Sequence, residues 1–281
     1  MSHSEDSRAV PYGKGDSMEN APKSKLILFD LDGTVYLDGV LYPGAAELFE
    51  KLKQSSLAFG FLTNNSSIGP DDYVEKLNRI GLGITLDNVV CSCQATCRML
   101  RKLGIGPKIY ILGTEKLRKY MAQEGFVHTY DGAEAVLIGF DKELTYDKLR
   151  EATELVMKGT PLYASHPDPV CPPCLPDAGM LMGAFKAAAP WIEIKEIAGK
   201  PYHWMADYIV ERFNVTPQEV IMVGDRPGTD IQFGFNFGMR TMMVLNGEPM
   251  PAMPPGLKPS VIVPRIGQLL DEFWPENLGW C

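Results

Sequence analysis

Leu26-Ile-Leu-Phe-Asp-Leu-Asp-Gly-Thr-Val-Tyr36 decides how the rest of the chain is read. An apolar run, Leu26 to Phe29, ends abruptly in two aspartates one residue apart and then a glycine. The run has the length and composition of a buried strand. Side chains two positions apart leave a strand on the same face, so Asp30 and Asp32 start out in the same direction, although a turn at Gly33 can re-aim the second. Two close carboxylates repel and shift each other's pKa unless a cation neutralises them. Magnesium suits that role, because it takes one or two carboxylates together with phosphate oxygens. Taken alone, the stretch reads equally well as a strand running into an Asp-Gly turn. The residues beyond Tyr36 separate the two readings.

Outward from this stretch the pattern is strand and helix in alternation, which predicts a parallel sheet with helices on both faces. Pro43 opens a helix that runs toward Lys53. Leu57–Leu62 reads as a strand that ends in Thr63-Asn64-Asn65-Ser66-Ser67. Helices are expected next over Asp71–Ile80 and Ser92–Leu103, each stopped by a glycine. From residue 104 to 193 a second alternating block is expected, with strands at Lys108–Leu112, Ala135–Phe140 and Leu162–Ser165. Its helices are expected over Thr114–Glu124, Tyr146–Lys158 and Asp177–Ala189, with Thr114 and Asp177 as N-caps. The first pattern then resumes with a helix over Pro201–Phe213, a strand at Val220–Val223 running into Gly224-Asp225, and a last strand at Met242–Val244. The expected organisation is a tail (1–24), a Rossmann-like α/β core (25–103 and 194–281) and an inserted α/β domain (104–193).

The chain has 281 residues, 45% of them apolar, so a substantial core is expected. A formal charge of −8 without a basic stripe argues against nucleic acid as a partner. No apolar run reaches the length of a membrane span, and the polar first residues lack the apolar centre of a signal peptide. A reducing cytoplasmic setting is therefore expected, with Cys91, Cys93, Cys97, Cys171, Cys174 and Cys281 as thiols.

Ligands of open α/β sheets bind outside the carboxyl ends of the strands. Strands ending in Asp30/Asp32, Thr63/Asn64 and Asp225 would converge on one crevice there. Gly199-Lys200-Pro201, at a helix start, adds a positive charge beside free N–H groups. Phosphoryl transfer is mostly positioning and charge neutralisation, and these groups supply both. One carboxylate would serve as nucleophile, and a second would protonate the leaving oxygen and then activate water.

Asp30-Leu-Asp-Gly-Thr-Val, Thr63, Lys200 and Gly224-Asp-Arg-Pro-Gly-Thr-Asp230 together resemble the four motifs of the haloacid-dehalogenase-like hydrolases. The finer resemblance is to class IIA, the NagD-like or p-nitrophenyl phosphatase group, which carries Thr-Asn-Asn, Gly-Lys-Pro and Gly-Asp-Arg-x-x-Thr-Asp in this order. It covers nearly all of the chain from residue 25. It implies a magnesium-dependent phosphatase acting on small phosphorylated metabolites through an aspartyl-phosphate intermediate. By position, Asp30 would be nucleophile and metal ligand, and Asp32 the acid/base, with its backbone carbonyl on the metal. Asp225 would complete the protein's metal ligands, supported by Asp230. Gly33, Thr63, Asn64, Asn65 and Lys200 would hold the phosphoryl group or the substrate. The inserted block would be a C2-type cap, with His166 and Asp168 in its substrate-specificity loop, and proteins of this kind also form homodimers through the cap.

Other signals read more plainly. Cys171-Pro-Pro-Cys174 resembles half a zinc or redox site, but it sits in a proline-rich loop and is expected to be two thiols. Lys186 and Arg226 are read as surface charges. Two alternatives share the site: a phosphotransferase or mutase that passes the phosphoryl group to another alcohol, and a non-catalytic sensor of phosphate ligands.

Overall fold

The computed structural model describes residues 22–172 and 174–281. Of the tail expected over 1–24, residues 1–21 lie outside the described residues. Ser24 is already buried, with its N–H donating to Trp280 O at 2.6 Å and its Oγ accepting from Arg240 Nη1 at 2.8 Å.

The strands are β1 (Leu26–Phe29), β2 (Ala58–Thr63), β3 (Val89–Cys91), β4 (Lys108–Leu112), β5 (Val127–His128), β6 (Ala135–Ile138), β7 (Leu162–Ala164), β8 (Ile194–Ile197), β9 (Val220–Gly224), β10 (Arg240–Val244) and β11 (Val261–Val263). They form two sheets, each parallel throughout. The core sheet has the order β11-β10-β9-β1-β2-β3, and the inserted sheet β8-β7-β6-β4-β5. In the core sheet the chain runs outward one way from β1 and the other way from β9. The switch point lies between these two neighbours, which is where an open α/β sheet offers a crevice. Asp30 and Asp225 follow directly from the two strands that flank it.

β1 is buried at every position, as a central strand covered on both faces must be. One cover is α1 (Ala45–Gln54), whose buried residues Ala45, Leu48, Phe49 and Leu52 fall on a single helical stripe. The Phe49 ring lies 5.0 Å from that of Phe29 and 4.8 Å from that of Phe61, which ties the helix to β1 and β2. Next come α2 (Pro70–Arg79) and α3 (Ser92–Lys102), after which the chain leaves for the inserted domain. That cap domain holds α4 (Glu115–Gln123), α5 (Tyr146–Met157) and α6 (Ala178–Ala188). Thr114 accepts from Leu117 N and Asp177 from Ala178 N, so both expected N-caps are in place. The core resumes with α7 (His203–Phe213) and the short α8 (Gln232–Phe237).

The sheets include four strands that the pattern of residues does not suggest: β3, β5, β8 and β11. All are short, and β8 interleaves Lys195 and Glu196 between its isoleucines. β8 also moves the edge of the insert. It pairs with β7, and both Ile194 and Ile197 pack with the apolar cluster of the inserted domain, so the inserted sheet runs past the 193/194 boundary expected from sequence. Two antiparallel hairpins were not expected either. One joins Tyr36–Leu37 to Val40–Leu41, and the other Val170–Cys171 to Leu175–Pro176. Among the described residues no helix is long and apolar enough to cross a membrane.

Because Phe49 is fully buried between β1 and β2, Phe49→Ala should cost about 3–5 kcal/mol of folding free energy. Chemical denaturation measures this, and a loss below about 1 kcal/mol would place the centre of the core elsewhere.

Candidate active site

The Lys200 side chain is buried almost completely, and its ammonium has three partners. Nζ donates to Asp30 Oδ1 at 2.7 Å, to Asp230 Oδ1 at 2.6 Å and to the Leu62 carbonyl at 3.0 Å. Burial pulls a lysine pKa down, but here the Asp230 and Asp30 carboxylates outweigh it and the ammonium ends above its ordinary value. All three of its protons are therefore committed to the protein. The residue is delivered by the crossover from β8 to α7 and fixed by Asn64, which accepts from Lys200 N at 2.8 Å and donates Nδ2 to Lys200 O at 2.9 Å.

Asp30, Asp225 and Asp230 each point a carboxylate oxygen into one small volume, all within 4.8 Å of one another. Asp30 N donates to Val223 O at 2.8 Å, continuing the β1–β9 ladder beyond the strand. Asp225 Oδ1 accepts from Thr34 Oγ1 at 2.8 Å. Asp230 Oδ2 accepts from Arg226 N at 3.1 Å. Burial, reinforced by the Asp30 charge, pushes Asp225 up to about 6 and Asp230 up to about 7. Three carboxylates outnumber the two cations that face them, Lys200 and Arg226, in this buried space. That is the donor chemistry and the charge that a hard divalent cation takes. Asp30, Asp225 and Asp230 are the residues that could hold it.

Two glycines make this approach of backbones and acids feasible. Gly33 has φ +92°, and a Cβ there would lie 2.5 Å from Asp225 Oδ2. At Gly224 a Cβ would meet Asp230 Cβ at 2.3 Å.

The Asp32 carboxylate stands apart from the trio. Its Oδ2 accepts from Tyr36 Oη at 3.3 Å, and burial raises its pKa. A carboxyl group that is easier to protonate and not engaged by Lys200 has the properties of an acid/base.

Thr63 ends β2 facing the same cavity, with Oγ1 accepting from Asn65 N at 3.1 Å. Asn65 Oδ1 accepts from Ser67 N and Ser67 Oγ, which holds the 63–67 loop in a tight turn. The cavity is lined by these residues and by the cap, and its volume is about 30 Å3. That is room for about two waters.

The fold thus brings Asp30, Asp32, Gly33, Thr63, Asn64, Asn65, Lys200, Asp225 and Asp230 together at one end of the core sheet. Asp168 joins them from the cap, with Oδ2 accepting from Asn64 Nδ2 at 2.9 Å. His166 does not line the cavity. Its ring is fully buried, with Nδ1 paired to Ser165 Oγ and Nε2 to Asp177 Oδ1, both at 2.8 Å. The imidazole was expected at the substrate, but it satisfies both nitrogens inside the cap and holds Asp177 instead.

Arg226, Thr229, Cys171 and Asp177 line the cavity without having been assigned to it from sequence. Arg226 and Thr229 belong to the Gly224–Asp230 motif, so a signal was there, and Arg226 is not the surface charge expected. Asp177 was legible only as a helix cap. Cys171 arrives through the cap hairpin, which nothing in the local sequence announces. Burial, with Asp32 next in effect, pushes its thiol up to about 11.

A family model described as haloacid dehalogenase-like hydrolase matches residues 27–127, and a second, described as HAD-hydrolase-like, matches residues 197–269. Human chronophin is 33% identical over 241 residues, spanning 79% of this chain and 81% of that one. An acid sugar phosphatase from Staphylococcus haemolyticus is 30% identical over 224 residues, with 78% and 84% covered. Among solved structures, a 4-nitrophenylphosphatase from Thermotoga maritima superposes with a TM-score of 0.81 at 40% identity, covering 88% of this chain and 96% of that one. NagD from Escherichia coli gives 0.79 at 27% identity, with 88% and 98% covered.

The acid cluster makes stability depend on pH, and a cation bound there should offset that dependence. Asp225 and Asp230 have folded-state pKa values above the ordinary 3.8, so between about pH 4 and 7 the folded protein holds protons that the unfolded chain releases. Their contribution is fully present below about pH 4 and is lost as pH rises through about 6 to 7. Magnesium should restore about 2.7 kcal/mol at a hundredfold excess over its Kd. Its effect on Tm should be larger at pH 8, where the cluster is ionised, than at pH 5, where protons compete. A magnesium gain in Tm that is independent of pH would contradict this assignment.

Proposed function

The chain belongs to the haloacid dehalogenase-like hydrolases, in the NagD-like class IIA group, and we propose that it is a magnesium-dependent phosphatase of small phosphorylated metabolites working through a phosphorylated Asp30. The phosphatases among its relatives support this reading. The single observation that carries it is the Lys200 ammonium joining Asp30 to Asp230 beside Asp225, at the switch point of the core sheet.

Asp30 attacks phosphorus with one carboxylate oxygen while Lys200 holds Oδ1 of the same group in place. As the ester P–O bond breaks, its electron pair goes to the leaving oxygen, which takes a proton from Asp32. Water then attacks the aspartyl phosphate, loses its proton to Asp32 and releases phosphate. Thr63 and backbone N–H groups near Asn64 hold the phosphoryl oxygens through both steps. When bound, a magnesium ion would be held by Asp30 and Asp225, with Asp230 beside them and the Asp32 carbonyl as a further ligand, and would supply charge neutralisation for the phosphoryl group.

The cap supplies the leaving-group side of the cavity. Asp168 and Asp177 present carboxylates there, which favours leaving groups that carry hydroxyl or amine donors. The cap forms one side of the cavity, and in this reading it opens to admit substrate and closes over it.

Asp30→Asn should bring phosphate release from a metabolite panel below detection while leaving the fold intact, as judged by circular dichroism and Tm. Chelating magnesium from the wild type should do the same reversibly. Undiminished turnover in Asp30→Asn would remove Asp30 as nucleophile. Free phosphate should account for turnover even with an acceptor alcohol present, and phosphorylated acceptor in its place would mark a phosphotransferase.

A further inference from the structure

Asp32 is tied to two residues outside the four motifs. Tyr36 Oη donates to Asp32 Oδ2 at 3.3 Å, and Lys76 Nζ donates to the same phenol oxygen at 2.7 Å. The tyrosine is fully buried, and the first hairpin starts with it. The chain between the two is a tight loop, closed by Gly33 N donating to Tyr36 O at 2.9 Å. Lys76 comes from α2, the helix that comes after the 63–67 loop. Tyr73 of the same helix donates Oη to Asn65 O at 3.0 Å. One helix therefore holds both the phosphate loop and, through Tyr36, the Asp32 carboxylate.

The groups themselves set the direction of this chain of bonds. An ammonium has donors only, so Tyr36 Oη must accept from Lys76 and has its single proton left for Asp32. A phenol of ordinary acidity keeps that proton at neutral pH. Oδ2 of Asp32 is thereby occupied as an acceptor, and a proton on the carboxyl group belongs on Oδ1.

We propose that Tyr36 and Lys76 are positioning residues for proton transfer, fixing Asp32 so that Oδ1 delivers the proton to the leaving oxygen and later takes one from water. The inference rests on the phosphatase reading above and assigns the acid/base step a support that the four motifs lack. When the ester bond breaks, the Oδ1 proton goes to the leaving oxygen together with the P–O electron pair. When water attacks the aspartyl phosphate, the bond from Asp30 to phosphorus breaks, its electron pair returns to the Asp30 carboxylate, and a proton of the water goes to Oδ1. Tyr36 and Lys76 keep their own protons throughout.

A leaving group that departs as a stable anion needs little protonation, whereas a basic one needs it fully. Phenyl phosphate and p-nitrophenyl phosphate differ in this respect and share a ring. With magnesium present, Tyr36→Phe should lower kcat/KM for phenyl phosphate about tenfold or more, as a share of the 100- to 10,000-fold that acid–base catalysis supplies, and for p-nitrophenyl phosphate about threefold or less. Lys76→Met should show the same split at smaller size, and Lys76→Arg, which keeps a charged donor, should show none. Competitive inhibition by inorganic phosphate should stay unchanged in all three, because the phosphate site is not touched. Lys76 is only partly buried, so its variants carry the test if Tyr36→Phe does not fold. Equal losses on both esters, or no loss on either, would overturn the positioning role while leaving the phosphatase reading in place. A wild type that releases phosphate from neither ester would overturn both.

Discussion

The site depends on one buried cation. Lys200 Nζ spends its three protons on Asp30, Asp230 and the Leu62 carbonyl, and so binds β1, β2 and the segment after β9 to one point. Removing one partner from a buried ion cluster costs about 3–5 kcal/mol, because the remaining charges lose their compensation. The same saturation limits what Lys200 does in catalysis. It orients Asp30 and balances part of the acid charge, but it has no donor left over in this arrangement. The acids outnumber Lys200 and Arg226, which suits a divalent ion, and in the proposed mechanism that ion lets a dianionic substrate approach a carboxylate nucleophile.

The cap is attached to this centre by polar contacts. Asn64 bonds at once to the Lys200 backbone and to Asp168 of the cap. Ser66 Oγ pairs with Ser165 Oγ at 2.9 Å and accepts from Phe140 N, and Thr114 Oγ1 donates to Ser67 O at 2.6 Å. The 63–67 loop, proposed to cradle phosphate, is therefore the loop on which the cap rests. Hydrogen bonds of this kind exchange for water at small net cost, about 0.5–1.5 kcal/mol each. Beside these bonds the contact is apolar, with Tyr120 and Met121 of α4 packed into the same buried cluster as Cys97 and Leu100 of α3. The Ser165–His166–Asp177 chain stiffens the cap side of that contact.

Much of this was legible in the residues because strand ends are where sequence and chemistry coincide. An apolar run that stops at Asp30, at Thr63 or at Gly224-Asp225 gives both the element and its functional end. Gly33 and Gly224 show why those stretches tolerate no side chain. Less was legible where a residue's role depends on a distant partner. His166 follows a strand just as Thr63 does, yet its ring turns inward because Ser165 and Asp177 satisfy it there. Tyr36 and Lys76 are far apart in the chain and unremarkable locally, and only folding brings them to Asp32. The strand Ile194–Ile197 was hidden because its charged middle residues face outward while its isoleucines enter the cap core, which a periodicity reading does not reward in so short a segment.

The central claim is that Asp30, and no other acid of the cluster, becomes phosphorylated. The direct measurement is rapid acid quenching of the enzyme during turnover with magnesium, reduction of any acyl phosphate by borohydride, and peptide mapping. The account predicts that the Asp30 side chain is reduced to the corresponding alcohol, in an amount that tracks substrate occupancy, with Asp32, Asp225 and Asp230 unmodified. Reduction at any of those three, or no trapped residue under conditions of rapid turnover, would contradict it.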